Sequence, residues 1–398
     1  MPTFLESVET IGAEEASIHQ LFGGDTKVRE RRQTPAYRSS LLEAMKFIDQ
    51  IQSGRRPFYH LQEALTTSDF PNLFADVLDR QMLGRYMETP AVWQAFARRG
   101  NVPDFRSVKR FAVDGAEGRL SKVPEREQYP EAPLTDLADT YSVSKYGRRV
   151  DLSWEAMVND DLDAFRTIPD RLARAARRTE SFVATGLYVD ANGPHASLYT
   201  AGNKNIVNAT NAGGSFTAIN PPLSISGLQE AMAVLGNAKD ADGEPIIVDS
   251  YVLVVPPALE VTARNILSGT ELWVTEAGGT SNQQLHVANW MQQRTQLVVD
   301  PYIPVVASSA NGNTSWFLFA NPNTSRPALE LGFLRGYDTP ALYERVPNAR
   351  RVGGGGGEAN ESFDDDSQAW KVRHVVGGTR LANTGGAKAT VASNGSNS

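Results

Sequence analysis

The chain has 398 residues, 41% of them hydrophobic and 21% charged, with a formal net charge of −7 and no cysteine. That length allows two or three domains with real cores, and the missing cysteines exclude disulfides, thiolate nucleophiles and cysteine-ligated zinc. No run reaches the roughly 18 apolar residues of a membrane helix, the acidic start MPTFLESVETIGAEEAS lacks the features of a secretory signal, and the negative balance argues against a protein whose main task is to grip nucleic acid.

Residues 1–69 read as an arm. VRERRQTPAYR is charged and broken by Pro35, so it reads as extended or loosely ordered. Leu41, Leu42, Met45, Ile48 and Ile51 then space out a short amphipathic helix ending at Ser53-Gly54. A second helix starts at Thr67-Ser68-Asp69, with Pro71 just inside it. Its apolar face is Leu73, Phe74, Val77, Leu78 and Leu83, and Thr89-Pro90 ends it. Strand character runs from Phe105 to Val113 and again from Tyr141 to Leu152. The intervening residues 114–139 are polar and hold Pro124, Pro130 and Pro133. Two strands around so long an excursion predict a protruding hairpin. Its flanking charges Lys109, Arg110, Lys145, Arg148 and Arg149 either grip a neighbour or keep strand edges soluble.

The stretch Ser153–Tyr188 is the most informative. Ser153 reads as an N-cap with Glu155 in the first turn, and Asn159-Asp160-Asp161 reads as a corner or second cap. Pro169 either opens a new helix behind Thr167 or kinks a continuous one. Leu172, Ala175, Ala176, Thr179, Phe182, Val183 and Leu187 predict one apolar face. Arg171, Arg174 and Arg178 repeat at helical spacing on another. That row is either a solvated basic face or a contact for acidic groups on a neighbouring subunit.

Residues 190–217 are Gly/Asn/Ser-rich and loop-like. A helix is expected over Leu223–Leu235 and a buried strand over Ile246–Val255. Pro256-Pro257 stops that strand and opens a further helix through Leu267. Strands follow at Gln296–Val299 and Trp316–Ala320, with a short mixed segment at Leu285–Met291. This alternation argues for a compact α/β or α+β domain. Two more strands, Ala341–Val346 and Ala369–Val376, flank a flexible loop with five glycines (353–357) and Asp364-Asp365-Asp366. From Ala382 on, the small-residue composition predicts a frayed tail.

Tests for chemistry fail. His19, His60, His195, His286 and His374 show no paired metal-ligand spacing, and GxSxG, HExxH and Walker A strings are absent. The five-glycine run lacks the lysine and helix of a phosphate cradle. The triple aspartate reads as solvated loop charge, and Asp240-Ala241-Asp242-Gly243 as a polar turn. No catalytic, cofactor-binding or metal site is assigned.

The order of the segments resembles the major capsid (head) protein of tailed bacteriophages, in the branch of Mu-like major head subunits. The carrying segments are TTSDFPNLFADVLDRQMLGRYMETPAVW, KYGRRVDLSWEAMVNDDLDAFRTIPDRLARAARRTE, YVLVVPPALEVTARNIL, LVVDPYIP with SWFLFANP, and WKVRHVVGG, spanning about residues 65–380. The resemblance implies an α+β capsid fold. Its parts would be an arm (1–69), a first peripheral segment (70–105), an extended hairpin loop (106–152), the spine helix and peripheral domain (153–217), an axial domain (218–335), peripheral strands (336–376, with flexible loop 347–368) and a C-terminal tail (377–398).

It also implies a structural function without enzymatic activity or cofactor. Copies would form hexamers and pentamers tiling an icosahedral shell around double-stranded DNA, without sequence-specific binding and away from membranes. The expected site is the virion, with assembly in the host bacterial cytoplasm. Portal, scaffold or protease, and decoration proteins are the implied partners. The candidate inter-subunit contacts are Arg171, Arg174, Arg178, Lys122, Arg126, Arg148 and Arg149. A nanocompartment shell of the same fold is the alternative, and a hydrolase with a dispersed site a more remote one.

Overall fold

The computed structural model describes residues 70–114, 135–153, 162–208, 219–240, 243–269, 271–275, 284–308, 310–323, 326–345, 349–350, 358–359, 367–382 and 385–396, with residue 211 and isolated positions within 43–55 and 120–129. The predicted helix over residues 41–51, the Asn159–Asp161 corner, the five-glycine run and the triple aspartate lie outside these residues, apart from isolated positions of the first.

In chain order the principal elements are α1 (Phe70–Glu88), β1 (Arg98–Val102), β2 (Val108–Asp114), β3 (Thr135–Tyr141), β4 (Ser144–Ser153) and α2 (Leu162–Tyr188). They are followed by α3 (Ile225–Gly236), β5 (Tyr251–Val255), α4 (Glu260–Ser268), β6 (Thr295–Val299) and β7 (Trp316–Ala320). β8 (Leu329–Leu334), β9 (Ala341–Glu344), β10 (Ser367–Arg380) and β11 (Thr390–Ser393) complete the set. The mixture is α+β, as expected. The chain divides into two units, with boundaries at 90/91, 143/144, 179/180, 332/333 and 376/377.

In the first unit β10 is central. β4 pairs with it antiparallel from Ser144↔Val376 to Ser153↔Ser367, and β9 pairs on its other side from Ala341↔Arg373 to Glu344↔Trp370. Met82, Leu83 and Tyr86 of α1 pack with Leu172, Ala173 and Ala176 of α2 and Val372 of β10 to form the core. The two alanines leave little side chain between helix and neighbours, which lets the elements approach closely. Arg177 locks α2 to α1. Its guanidinium lies 3.7 Å from the Tyr86 ring centroid, and Nε donates to the Tyr86 carbonyl at 3.0 Å.

The second unit is built on a four-stranded sheet ordered β6-β5-β7-β11. β6 runs parallel to β5, and β7 antiparallel to β5 and β11. Every residue of β5, β7 and β11 is buried, the pattern of a sheet covered on both faces. Ser224 caps α3 by accepting the Gly227 N–H at 3.1 Å. β1 and β8 are neighbouring strands, and β2 and β3 form a two-stranded sheet of their own.

Three expectations change, and one open choice is decided. Strand character over Tyr141–Leu152 splits at Ser142-Val143, so β3 stays in the hairpin and β4 joins β10. The buried strand starts at Tyr251, not Ile246. Arg294 donates to the carbonyls of Val248 (2.8 Å) and Asp249 (3.2 Å), removing them from any ladder, and Ile247 is 83% exposed. The tail predicted to fray carries β11, paired with β7 from Trp316↔Ser393 to Phe319↔Thr390; small residues fit that crowded position. The choice left open at Pro169 falls to the continuous helix: the residue lies inside one helix of 27 residues, about 40 Å long.

Candidate functional site

The root of the hairpin holds the most organised polar cluster of the second unit. Glu330 lies in β8, LELGFL, a run buried at every position. Its side chain is 1% exposed. A carboxylate in such a run demands partners, and three strands supply them. Arg98 of β1 donates from Nη2 to Oε2 at 2.8 Å, Arg110 of β2 from Nε to Oε1 at 2.5 Å, and the Tyr141 hydroxyl of β3 to Oε1 at 2.6 Å. Arg110 Nη2 also donates to the Asn101 carbonyl at 3.0 Å and the Tyr141 oxygen at 3.2 Å. Both strands of the hairpin are thus tied to one anion.

The backbone makes room for this knot. A Cβ at Gly100 would overlap the Glu330 carboxylate, and one at Gly332 would overlap the Tyr141 ring. Burial alone raises the Glu330 pKa, but the bonds from Tyr141, Arg98 and Arg110 outweigh it and hold the carboxyl below its usual range. Burial, then the bond to Glu330, pushes the Tyr141 phenol up. The cluster is electrostatic scaffolding: its one acid is fully ligated by donors.

The candidate contacts are distributed elsewhere. Arg171, Arg174 and Arg178 are all exposed, and none has an ion-pair partner among the described residues. Lys122 and Arg126 are exposed in the connection between β2 and β3, Arg126 with a left-handed backbone (φ 69°). Arg148 and Arg149 are exposed on β4, and Arg149 pairs with Asp151 at 2.6 Å. Arg110, expected as a flanking surface charge, turns inward to Glu330 instead.

The apolar face of α2 also needs correction. Phe182 is 49% exposed, whereas the buried stripe continues through Glu180 and Ala184. Glu180 is fully buried and accepts the Trp93 indole N–H at 3.0 Å. Spacing alone could have found Glu180, since it falls four residues after Ala176 and four before Ala184. A rule that admits only apolar residues to a core face passes over it. Among the described residues no group of His, Asp and Glu could hold a metal ion, and no helix is long and apolar enough to cross a membrane.

A family model described as phage capsid protein matches residues 137–389, well over half of the chain. No curated protein matches it. Among solved structures, the capsid of Ralstonia phage GP4 is similar at 13% identity and a TM-score of 0.45, over 72% of this chain and 83% of that one. A structure from Gordonia phage Cozz is similar at 12% identity and a TM-score of 0.43, over 76% and 85%. The holo-SrpI encapsulin complex from Synechococcus elongatus is similar at 11% identity and a TM-score of 0.41, over 75% and 85%. The family match covers most of β3, the whole run from β4 to β10, and Tyr141 and Glu330 of the knot, and on it the chain belongs to the phage capsid protein family, as a capsid shell protein.

Proposed function

We propose that this capsid protein is the major head subunit of a tailed phage, in the Mu-like branch, and that its copies assemble as hexamers and pentamers into an icosahedral shell around double-stranded DNA. The observation that carries the reading is the hairpin. Among the described residues β2 and β3 pair only with each other, Phe111 is 69% exposed, Tyr129 83%, and Leu120 completely. A two-stranded hairpin is marginal alone, and large exposed apolar side chains on it call for cover. In a homo-oligomer closed by rotation, the next copy supplies that cover.

In this reading residues 106–152 reach over the neighbouring subunit and the Glu330 knot fixes the angle at which they leave. Residues 70–105, 153–217 and 336–376 make the peripheral domain and 218–335 the axial domain. Arg171, Arg174 and Arg178 meet acidic groups of the adjacent copy, and Lys122, Arg126, Arg148 and Arg149 add contacts along the hairpin and β4. Each contact is modest, and repetition around the ring multiplies them. A portal, a scaffold or protease, and decoration proteins complete the virion, assembled in the bacterial cytoplasm.

Expression should yield homogeneous closed particles in negative-stain electron microscopy. Removing residues 115–134, or combining Phe111→Asp with Tyr129→Asp, should give a folded subunit that forms none. A compact monomer under every assembly condition, or normal shells from the hairpin variants, would sink the reading. Reversing Arg171, Arg174 and Arg178 to Glu should impair assembly while circular dichroism stays native; normal shells would make the row a solvated face. Small cages carrying protein cargo and no DNA would favour a nanocompartment.

A further inference from the structure

The second unit contains a cavity of about 580 Å³, within the range of small-ligand sites. Three lysines from separate segments line it, Lys204, Lys239 and Lys388, and no acidic side chain is among its described lining residues. None of the three has an ion-pair partner among the described residues. The nearest acid in sequence, Asp240, is engaged in its own turn, where Oδ1 accepts the Glu244 N–H at 2.8 Å. In a chain of net charge −7, three cations around one concavity, without an ion-pair partner among the described residues, form a field that focuses on an anion.

The wall behind the lysines is rigid. Asn205 Nδ2 donates to the carbonyls of Leu198 (2.9 Å) and Ala387 (3.0 Å), and its Oδ1 accepts the Thr200 N–H at 3.1 Å. Asn203 Nδ2 donates to Leu198 O at 2.9 Å. The wall amides are therefore occupied, and the lysines are its spare donors. Lys204 holds a left-handed backbone, φ 54°. Asn or Asp tolerates that region through local side-chain hydrogen bonds, and lysine has no such compensation. Strain kept at a residue lining a cavity points to a role for that residue. Val234, Leu235, Val391 and Leu137 give the cavity an apolar floor.

We propose that this cavity binds a phosphate group carrying a substituent of nucleotide size, with the phosphate among Lys204, Lys239 and Lys388 and the sugar or base against the apolar floor. Two sources share that chemistry, a free nucleotide and the phosphate of a DNA strand. The inference is independent of the shell reading, because it concerns a cavity within one copy.

The test is calorimetric titration of the purified full-length chain at low salt with thymidine monophosphate, with inorganic phosphate and with a short single-stranded oligonucleotide. Thymidine monophosphate or the oligonucleotide should bind at least tenfold more tightly than inorganic phosphate. Preference for the monophosphate identifies a free nucleotide as the source, and preference for the oligonucleotide identifies DNA. The triple variant Lys204→Ala, Lys239→Ala, Lys388→Ala should lose at least tenfold in affinity with an unchanged Tm, and the corresponding Arg variant should retain most of it. Should the triple variant unfold, the single changes Lys204→Met and Lys239→Met give the same reading. Binding that is absent for every probe, equal for inorganic phosphate and the larger probes, or unchanged in the lysine variants overturns the proposal.

Discussion

Two of the carboxylates buried in the second unit, Glu330 and Asp300, are treated in opposite ways. Glu330, at the hairpin root, meets two guanidinium groups and a phenol, and its pKa is held down. Asp300, just past β6, is 2% exposed, and among the described residues its side chain meets neutral donors only. The hydroxyls of Thr185 and Tyr188 both lie 2.6 Å from its Oδ2, and the Tyr302 N–H is 2.8 Å from Oδ1. Burial raises its pKa, and those bonds offset it only in part. The Thr185 hydroxyl also reaches the Ser181 carbonyl at 2.9 Å and has one proton to give. If that proton goes to Ser181, a protonated Asp300 donates to Thr185, which agrees with the raised pKa. Burial by itself therefore does not decide the direction of a carboxylate's shift; the presence of a cation does. The acid with the lowered pKa sits where a two-stranded hairpin joins the fold, and the one with the raised pKa sits in packed core.

Breaking the ionic member should have the largest effect. Glu330→Ala removes the anion from two arginines and a tyrosine, and loss of a buried partner costs about 3–5 kcal/mol. Arg98 is 45% exposed and can turn to water, so about 3 kcal/mol is the expected loss in denaturant unfolding. A loss below about 1 kcal/mol would mean the knot does not hold the fold. Acid should come next. Glu330 has a depressed folded pKa, so its stabilisation is present above the unfolded carboxylate value of about 4.3 and is lost as pH falls through the folded value. Asp300 has a raised pKa, so its contribution is present below the unfolded value of about 3.9 and is lost as pH rises through the folded one. In an acid titration of Tm, Glu330→Gln should flatten the acid limb and Asp300→Asn should steepen it. Shifts in the same direction would show that the two sites are not opposed.

Most of the framework was legible from periodicity. The 27-residue helix, the buried WFLFA strand and the capped helix at Ser224 all follow from spacing and apolar density. The hairpin root was not, because its logic is non-local: Arg98, Arg110, Tyr141 and Glu330 are drawn from residues up to 232 positions apart. Alternation in KRFAVD marks Arg110 as one face of a strand and cannot say that an acid lies beneath it. A lone Glu inside LELGFL was the available clue, since a charge in an otherwise apolar strand requires a partner somewhere. The strand at Thr390–Ser393 was hidden for a different reason. Small residues signal a tail by composition, yet β11 is buried along its whole length, and composition does not register how little room a strand has.

The smallest expected effect sharpens the comparison at its neutral end. Asp300→Asn keeps an oxygen for the Tyr302 N–H and places an amide where Thr185 and Tyr188 meet Oδ2. If Asp300 is already protonated, the amide donates to Thr185 as the acid did, and only the Tyr188 hydroxyl must find a new acceptor. The loss should then be about 1 kcal/mol, the net worth of one hydrogen bond, against the larger loss for Glu330→Gln, where an amide faces three donors with a single acceptor oxygen. Denaturant unfolding of the two isosteric variants, side by side at neutral pH, measures this. If Asp300→Asn proves the more damaging, Asp300 is ionised in the folded state, and the phenol of Tyr188 and the hydroxyl of Thr185 do for it what two guanidinium groups do for Glu330.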